Sequence, residues 1–218
     1  MKLYGAMLSP FVRKVAVVAT EKGVSYELAR GGPGNTDPDF LAASPLGKIP
    51  AIDDNGFTLA DSSAIALYLD TQYPGRRLLP DDPQLRGRVM FFDEFADTVL
   101  GAAGLKILFN RLVGPKLLKV GGDEAVALQG EAELPRWLDW LESTVPDQGW
   151  LVGDAFTLAD ISVASIFRTL AYVGHGVDAA ARPKTAAWYA RVTQRPAWVA
   201  VAAQEDVMAV RIMAIAAA

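Results

Sequence analysis

The sequence predicts two domains of different class: an α/β unit of order βαβαββα over residues 1–78 and an all-helical unit over residues 85–218, joined by a linker at 79–84. Three observations carry this expectation. Short strand-like apolar runs alternate with helix-length runs through the first part of the chain, and the whole series closes within about 75 residues, a natural domain length. Beyond Leu78-Leu79-Pro80-Asp81-Asp82-Pro83, apolar residues recur with the helical period and no alternating run is left. Charge divides at the same place: residues 1–78 hold eight basic and eight acidic side chains, so the formal charge of -4 falls on the helical part.

Lys2-Leu3-Tyr4-Gly5 reads as the first strand. The run from Phe11 to Ala19 has the β-branched density of a strand, but Pro10 at a first helical position behind a Ser9 cap, and Gly23 after Lys22, predict a helix. Ser25 to Leu28 alternates and gives a second strand in a βαβ unit, followed by a loop at Arg30 to Asn35. Asp37 to Ala43 is a short helix with acidic residues at its start. Ile49 to Ile52 and Phe57 to Leu59 flank Asn55-Gly56, a hairpin turn, and Asp61-Ser62-Ser63 opens a third helix that stops near Tyr73-Pro74-Gly75. The second unit is expected to hold helices at 84–111, 123–144, 157–173, 184–194 and 197–203, with a kink at Pro135 and an Ala-rich helix end or frayed tail at Ala214 to Ala218.

The chain has 218 residues, 51% hydrophobic and 21% charged, the balance of a packed globular protein. An acidic net charge without a basic stripe argues against a nucleic-acid partner. The absence of Cys removes disulfides, thiolate nucleophiles and Cys metal sites, and a single histidine, His175 in a Gly-His-Gly loop context, removes any multi-histidine metal site. Arg13-Lys14 arrives too early for a signal-peptide core, and no charge-free apolar run approaches the roughly 18 residues of a membrane span. The expectation is a cytoplasmic protein with no membrane contact and no bound metal.

Three short motifs invite a chemical reading beside a structural one. Ser9-Pro10-Phe11-Val12 lies where the first strand hands over to the first helix. It reads as a cap, and, since the two roles are not exclusive, also as a hydroxyl beside free N–H groups well placed to stabilise a bound thiolate or carboxylate. Gly47-Lys48-Ile49-Pro50 puts a proline at a strand start. This is an edge strand or turn, or a cis bond that leaves the Ile49 backbone free to pair with an extended peptide. Asp61-Ser62 supplies two candidate caps, or an amino-acid pocket in which helix N–H groups and the Ser62 hydroxyl hold a carboxylate with Asp61 near an ammonium. Thr157 to Asp160 resembles a capping box with a structural role, and Trp137 and Trp140 read as core rather than ligand platform.

Taken together, Ser9 to Val15, Ser44-Pro45-Leu46-Gly47-Lys48-Ile49-Pro50, Asp61-Ser62, Leu151 to Ile161 and Arg195-Pro196-Ala197-Trp198 resemble the soluble glutathione transferase superfamily over nearly the whole chain. The Ser at the thiol-activating position suggests a bacterial type. The resemblance implies a thioredoxin-like domain that binds glutathione as co-substrate, with no permanently bound cofactor, and a helical domain that contributes the pocket for a small hydrophobic electrophile. It implies that Ser9 activates the thiol, that Lys48 and the Ile49 backbone contact the peptide, that Pro50 is cis, and that Asp61 and Ser62 hold the γ-glutamyl end. Asp61 departs from the Glu or Gln of many relatives. Should Ser9 act only as a cap, backbone N–H groups or Arg13 are the next donors. The electrophile pocket is expected to draw on Met7, Leu8, Phe11, Phe109, Asn110, Arg111 and Leu112. A homodimer is implied, and the apolar surface of the first long helix agrees. A regulatory or scaffold protein that has lost turnover, and a glutathione-dependent isomerase or peroxidase, are the alternatives.

Overall fold

The computed structural model describes the backbone of residues 1–217 and the side chains of residues 1–210. β1 (Lys2–Tyr4), α1 (Pro10–Glu21), β2 (Glu27–Ala29), α2 (Pro38–Ala43), β3 (Ala51–Asp54), β4 (Phe57–Ala60) and α3 (Ser62–Gln72) form the first unit. Its sheet has the order β2-β1-β3-β4, with β1 parallel to β2 and the other pairs antiparallel, a thioredoxin-like arrangement. The expected second and third strands begin two residues late. For β3 the cause is Pro50, which has no N–H to give a ladder, so pairing starts at Ala51.

The register decides where the loops go. Tyr4 pairs with Ala51, and Ala51 with Ala60, so the end of β1, the start of β3 and the end of β4 lie side by side. Ser9, Pro50 and Asp61 follow or precede those residues and are delivered to one end of the sheet. A Cβ on Gly5 would collide with Val12 and touch Ile49, so the loop between β1 and α1 packs on the Ile49 segment only because residue 5 lacks a side chain.

α1 is helical despite its β-branched run because it is buried from several sides. Val12, Val15, Val17 and Val18 are inside the core, and the helix packs on α3 and on two helices of the second unit. Tertiary burial outweighs the few tenths of a kcal/mol per residue that propensity withholds.

The second unit opens with one long rod: α4 (Pro83–Glu94), a π-helical stretch Phe95–Leu100, α5 (Gly101–Leu108) and a second π-helical stretch Phe109–Leu118. The expected end near residue 111 is corrected, since the rod runs on through Pro115. Asn110 and Arg111 bind the next helix and hold this end in place, with the Asp123 N–H donating to Asn110 Oδ1 at 2.8 Å. α6 (Glu124–Thr144), α7 (Leu158–Ala171), α8 (Pro183–Thr193) and α9 (Pro196–Ala217) complete the fold. α6 continues through Pro135 without ending. The last helix, expected to stop near 203, is much longer because its polar residue Glu205 points inward and is fully buried against Arg13, Arg168 and Tyr172. Of the Ala-rich end, Ala218 and the side chains from 211 onward lie outside the described residues.

The capping box is present: the Thr157 N–H donates to Asp160 Oδ2 at 3.0 Å, and the same carboxylate takes the Trp188 indole N–H at 2.8 Å. Asp70, at the end of α3, accepts the Leu78 and Leu79 N–H groups at 2.8 and 3.1 Å, and the Leu158 N–H donates to the Leu78 carbonyl. These bonds clamp the linker between the two units. Among the described residues, no helix is long and apolar enough to cross a membrane, and no cluster of three or more His, Cys, Asp or Glu residues is placed to hold a metal ion.

Candidate functional site

Ser9 caps α1 in an extended conformation, and the Val12 N–H donates to its Oγ over a long 3.5 Å. That bond uses a lone pair. The Ser9 O–H proton has no protein acceptor among the described residues, and it stands where the first-turn amides and the positive end of the helix dipole converge. Arg13, one turn on, is not a free substitute. Its Nε donates to Glu205 at 2.7 Å, Nη1 to the Ser165 carbonyl and Thr169, and Nη2 to Glu205 again.

The Ile49-Pro50 peptide bond is cis. The Lys48 backbone is pinned on both sides of Ser44, whose Oγ accepts the Lys48 N–H at 3.0 Å and donates to the Lys48 carbonyl at 2.6 Å. The Ile49 N–H and carbonyl lie outside the ladder and take no backbone partner among the described residues. The Lys48 side chain is exposed.

Asp61 holds a φ of 81°, a left-handed value that costs a non-Gly residue of order 1–3 kcal/mol. In return its Oδ1 caps α3, accepting the Ser63 and Ala64 N–H groups at 3.0 Å each. The other oxygen is free of protein bonds among the described residues, and so is the Ser62 N–H. The Ser62 side chain is buried, with its Oγ 3.4 Å from Asp97 Oδ2.

Sequence reasoning missed what lies beneath this turn. Lys14, 1% exposed, donates to Asp93 Oδ1 at 2.8 Å, Asp97 Oδ2 at 2.7 Å and Ser63 Oγ at 3.1 Å. Ser63 and Ser162 in turn donate to Asp93. Asp97 belongs to the first π-helical stretch, and burial raises its carboxyl above the ordinary value while Lys14 pulls it down. The signal was available: two consecutive cations inside the otherwise apolar run Phe11 to Ala19 require buried partners.

The residues expected around the electrophile divide. Met7, Leu8 and Leu112 are buried, Phe11 is half-buried and Phe109 is exposed. Asn110 donates to the Lys106 carbonyl at 2.8 Å, and Arg111 binds Glu124 at 2.6 Å and also Glu131, whose carboxylate meets His175 Nε2 at 2.7 Å. The polar groups of Asn110 and Arg111 thus hold α6. On the outer face of α4 and α6, Phe91, Phe95, Val99, Trp137 and Trp140 line an apolar groove of about 360 Å³. Both tryptophans pack on the core as expected, with an edge in this groove.

The profile described as Glutathione S-transferase, N-terminal domain, matches residues 3–77, and that of the C-terminal domain matches residues 101–196. A glutathione S-transferase of Hyoscyamus muticus is 34% identical over 206 residues, covering 91% of this chain and 95% of the relative. Glutathione S-transferase 3 of Zea mays is 35% identical, with 91% of each covered. Among solved structures, glutathione S-transferase III in apo form superimposes with a TM-score of 0.78 at 35% identity, covering 93% of this chain and 95% of that one. The glutathione S-transferase of Methylobacillus flagellatus, solved with GSH bound, gives 0.77 at 29% identity, with 92% and 98% covered. The chain belongs to the glutathione S-transferase family, and glutathione transferase is the enzyme class to which this similarity assigns it.

Proposed function

We propose that the end of the sheet where β1, β3 and β4 deliver their loops binds glutathione, and that Ser9 donates a hydrogen bond to its sulfur for attack on a small hydrophobic electrophile. The uncommitted Ser9 O–H at the start of α1 is the observation that carries this reading. In it, the cysteinyl backbone pairs with the free Ile49 groups beside Pro50, and Lys48 lies within reach of the peptide. The γ-glutamyl carboxylate takes the Ser62 N–H and hydroxyl, and its ammonium takes the free oxygen of Asp61. Phe109, which is exposed, and Phe11, which is half-buried, are the aromatic contacts expected for the electrophile.

A free thiol with a pKa near 8.5 is only about 3% ionised at pH 7, and a downward shift of roughly two units raises that to about 75%. Intrinsic nucleophilicity falls about eightfold over the same shift, so tuning alone nets only about threefold. Holding the electrophile against the sulfur must supply the rest.

Retention on glutathione-agarose followed by a panel of halonitrobenzene, epoxide and enal electrophiles tests the reading. Retention without turnover favours the scaffold alternative. We further propose a homodimer through the groove at Phe91, which is 55% exposed and continues into Trp140 through edge-on stacking. Phe91→Glu is expected to convert a dimer to a monomer in sedimentation velocity, and a wild-type monomer at micromolar concentration removes this part. The reduced glutathione pool on which the reaction draws supports a cytoplasmic location.

A further inference from the structure

Ser62 has one proton to give, and Asp97 already stands 3.4 Å from it. A carboxylate accepts only, so in the free protein the Ser62 hydroxyl points at Asp97, and a ligand carboxylate must compete for the same proton. Asp97 is only 19% exposed and has little water to turn to. Lys14 fills that need directly at 2.7 Å, through a far shorter and charge-assisted bond. The cluster of Lys14, Asp93 and Asp97 nevertheless carries two carboxylates and one ammonium. The Ser63 hydroxyl is already committed to Asp93 at 2.6 Å, so without the ammonium Asp97 would be a largely buried, unpaired charge pulling on the Ser62 hydroxyl.

We propose that Lys14, which faces away from the ligand, is a positioning residue for glutathione: by satisfying Asp97 it frees the Ser62 hydroxyl to turn to the γ-glutamyl carboxylate. Through this contact the helical domain, which supplies Asp93 and Asp97, sets the affinity of a site built on the other domain. The inference rests on the assignment of Ser62 to the γ-glutamyl end.

The test is the dissociation constant for glutathione by calorimetry, with KM and kcat measured separately, in four variants. Ser62→Ala checks the site itself; if it binds as wild type, the assignment fails before Lys14 is at issue. With Ser62→Ala weakened, Lys14→Met is expected to weaken binding about tenfold or more while kcat at saturating glutathione stays within about threefold. Lys14→Arg, which keeps the cation, is expected to stay within about threefold of wild type. Lys14→Met combined with Asp97→Asn restores the wild-type charge count and leaves only a weaker, neutral acceptor to compete for the Ser62 proton, so affinity should return to within about threefold of wild type. A merely structural role predicts the opposite, a loss that deepens with the second substitution. Wild-type affinity in Lys14→Met, or a double variant that binds no better than the single one, overturns the proposal. If circular dichroism finds Lys14→Met unfolded, the double variant decides alone: near-wild-type affinity supports the proposal and a tenfold loss overturns it.

Discussion

The two helix N-termini at the site end of the sheet are built differently. α1 begins with a neutral serine, a proline that has no N–H to satisfy, and a cap bond stretched to 3.5 Å. Its nearest cation, Arg13, is turned into the other domain. α3 begins with an aspartate strained at a φ of 81°, two 3.0 Å cap bonds, and a buried ammonium with two carboxylates underneath. The first suits a group that must stay reactive: one adjustable donor and a dipole, with no counter-charge to quench a thiolate. The second suits a group that must be held, since a zwitterion needs both donors and an acceptor in fixed places. Under the proposed function, this contrast would separate activation from affinity along the sequence.

Substitutions at the two termini should therefore give different signatures. The largest effect is expected from Ser62→Ala, which removes a hydrogen bond to a charged group and should weaken glutathione binding by about 1–3 kcal/mol in calorimetry, with kcat nearly unchanged. Ser9→Ala should do the reverse. Turnover near pH 7 is expected to fall about threefold, the net effect of the lost pKa shift, and to recover in part as pH rises, while glutathione affinity changes by less than about twofold. The smallest effect is expected from Asp61→Gly. Relief of the left-handed strain and loss of the cap offset each other, so thermal unfolding should move by less than about 1 kcal/mol, while glutathione binding weakens by about threefold as the free carboxylate oxygen is lost. A Ser62 variant that lowers kcat alone, or a Ser9 variant that loses only affinity, would erase the distinction between the termini.

The fold and the local turns are legible in the sequence alone. The alternation that ends at Leu78 marked the two units because strand and helix periods differ, and Ser9, Pro50 and Asp61 announced themselves as caps and strand starts by local chemistry. What local chemistry does not encode is pairing over long range. Lys14 with Asp97 and Arg13 with Glu205 are separated by 83 and 192 positions and exist only once the helical domain docks. The inward turn of Glu205 is also why α9 outran its expected end. The π-helical stretches had no sequence signature, yet one of them carries Asp97.

The central claim is that Ser9 lowers the pKa of the bound thiol. It is tested most directly by following thiolate absorbance as the glutathione complexes of wild type and Ser9→Ala are titrated with base. The account predicts that the wild-type complex ionises at lower pH than the variant, by about one to two units. Superimposable curves would contradict it and leave Ser9 a helix cap, with the thiolate held by the backbone amides of α1.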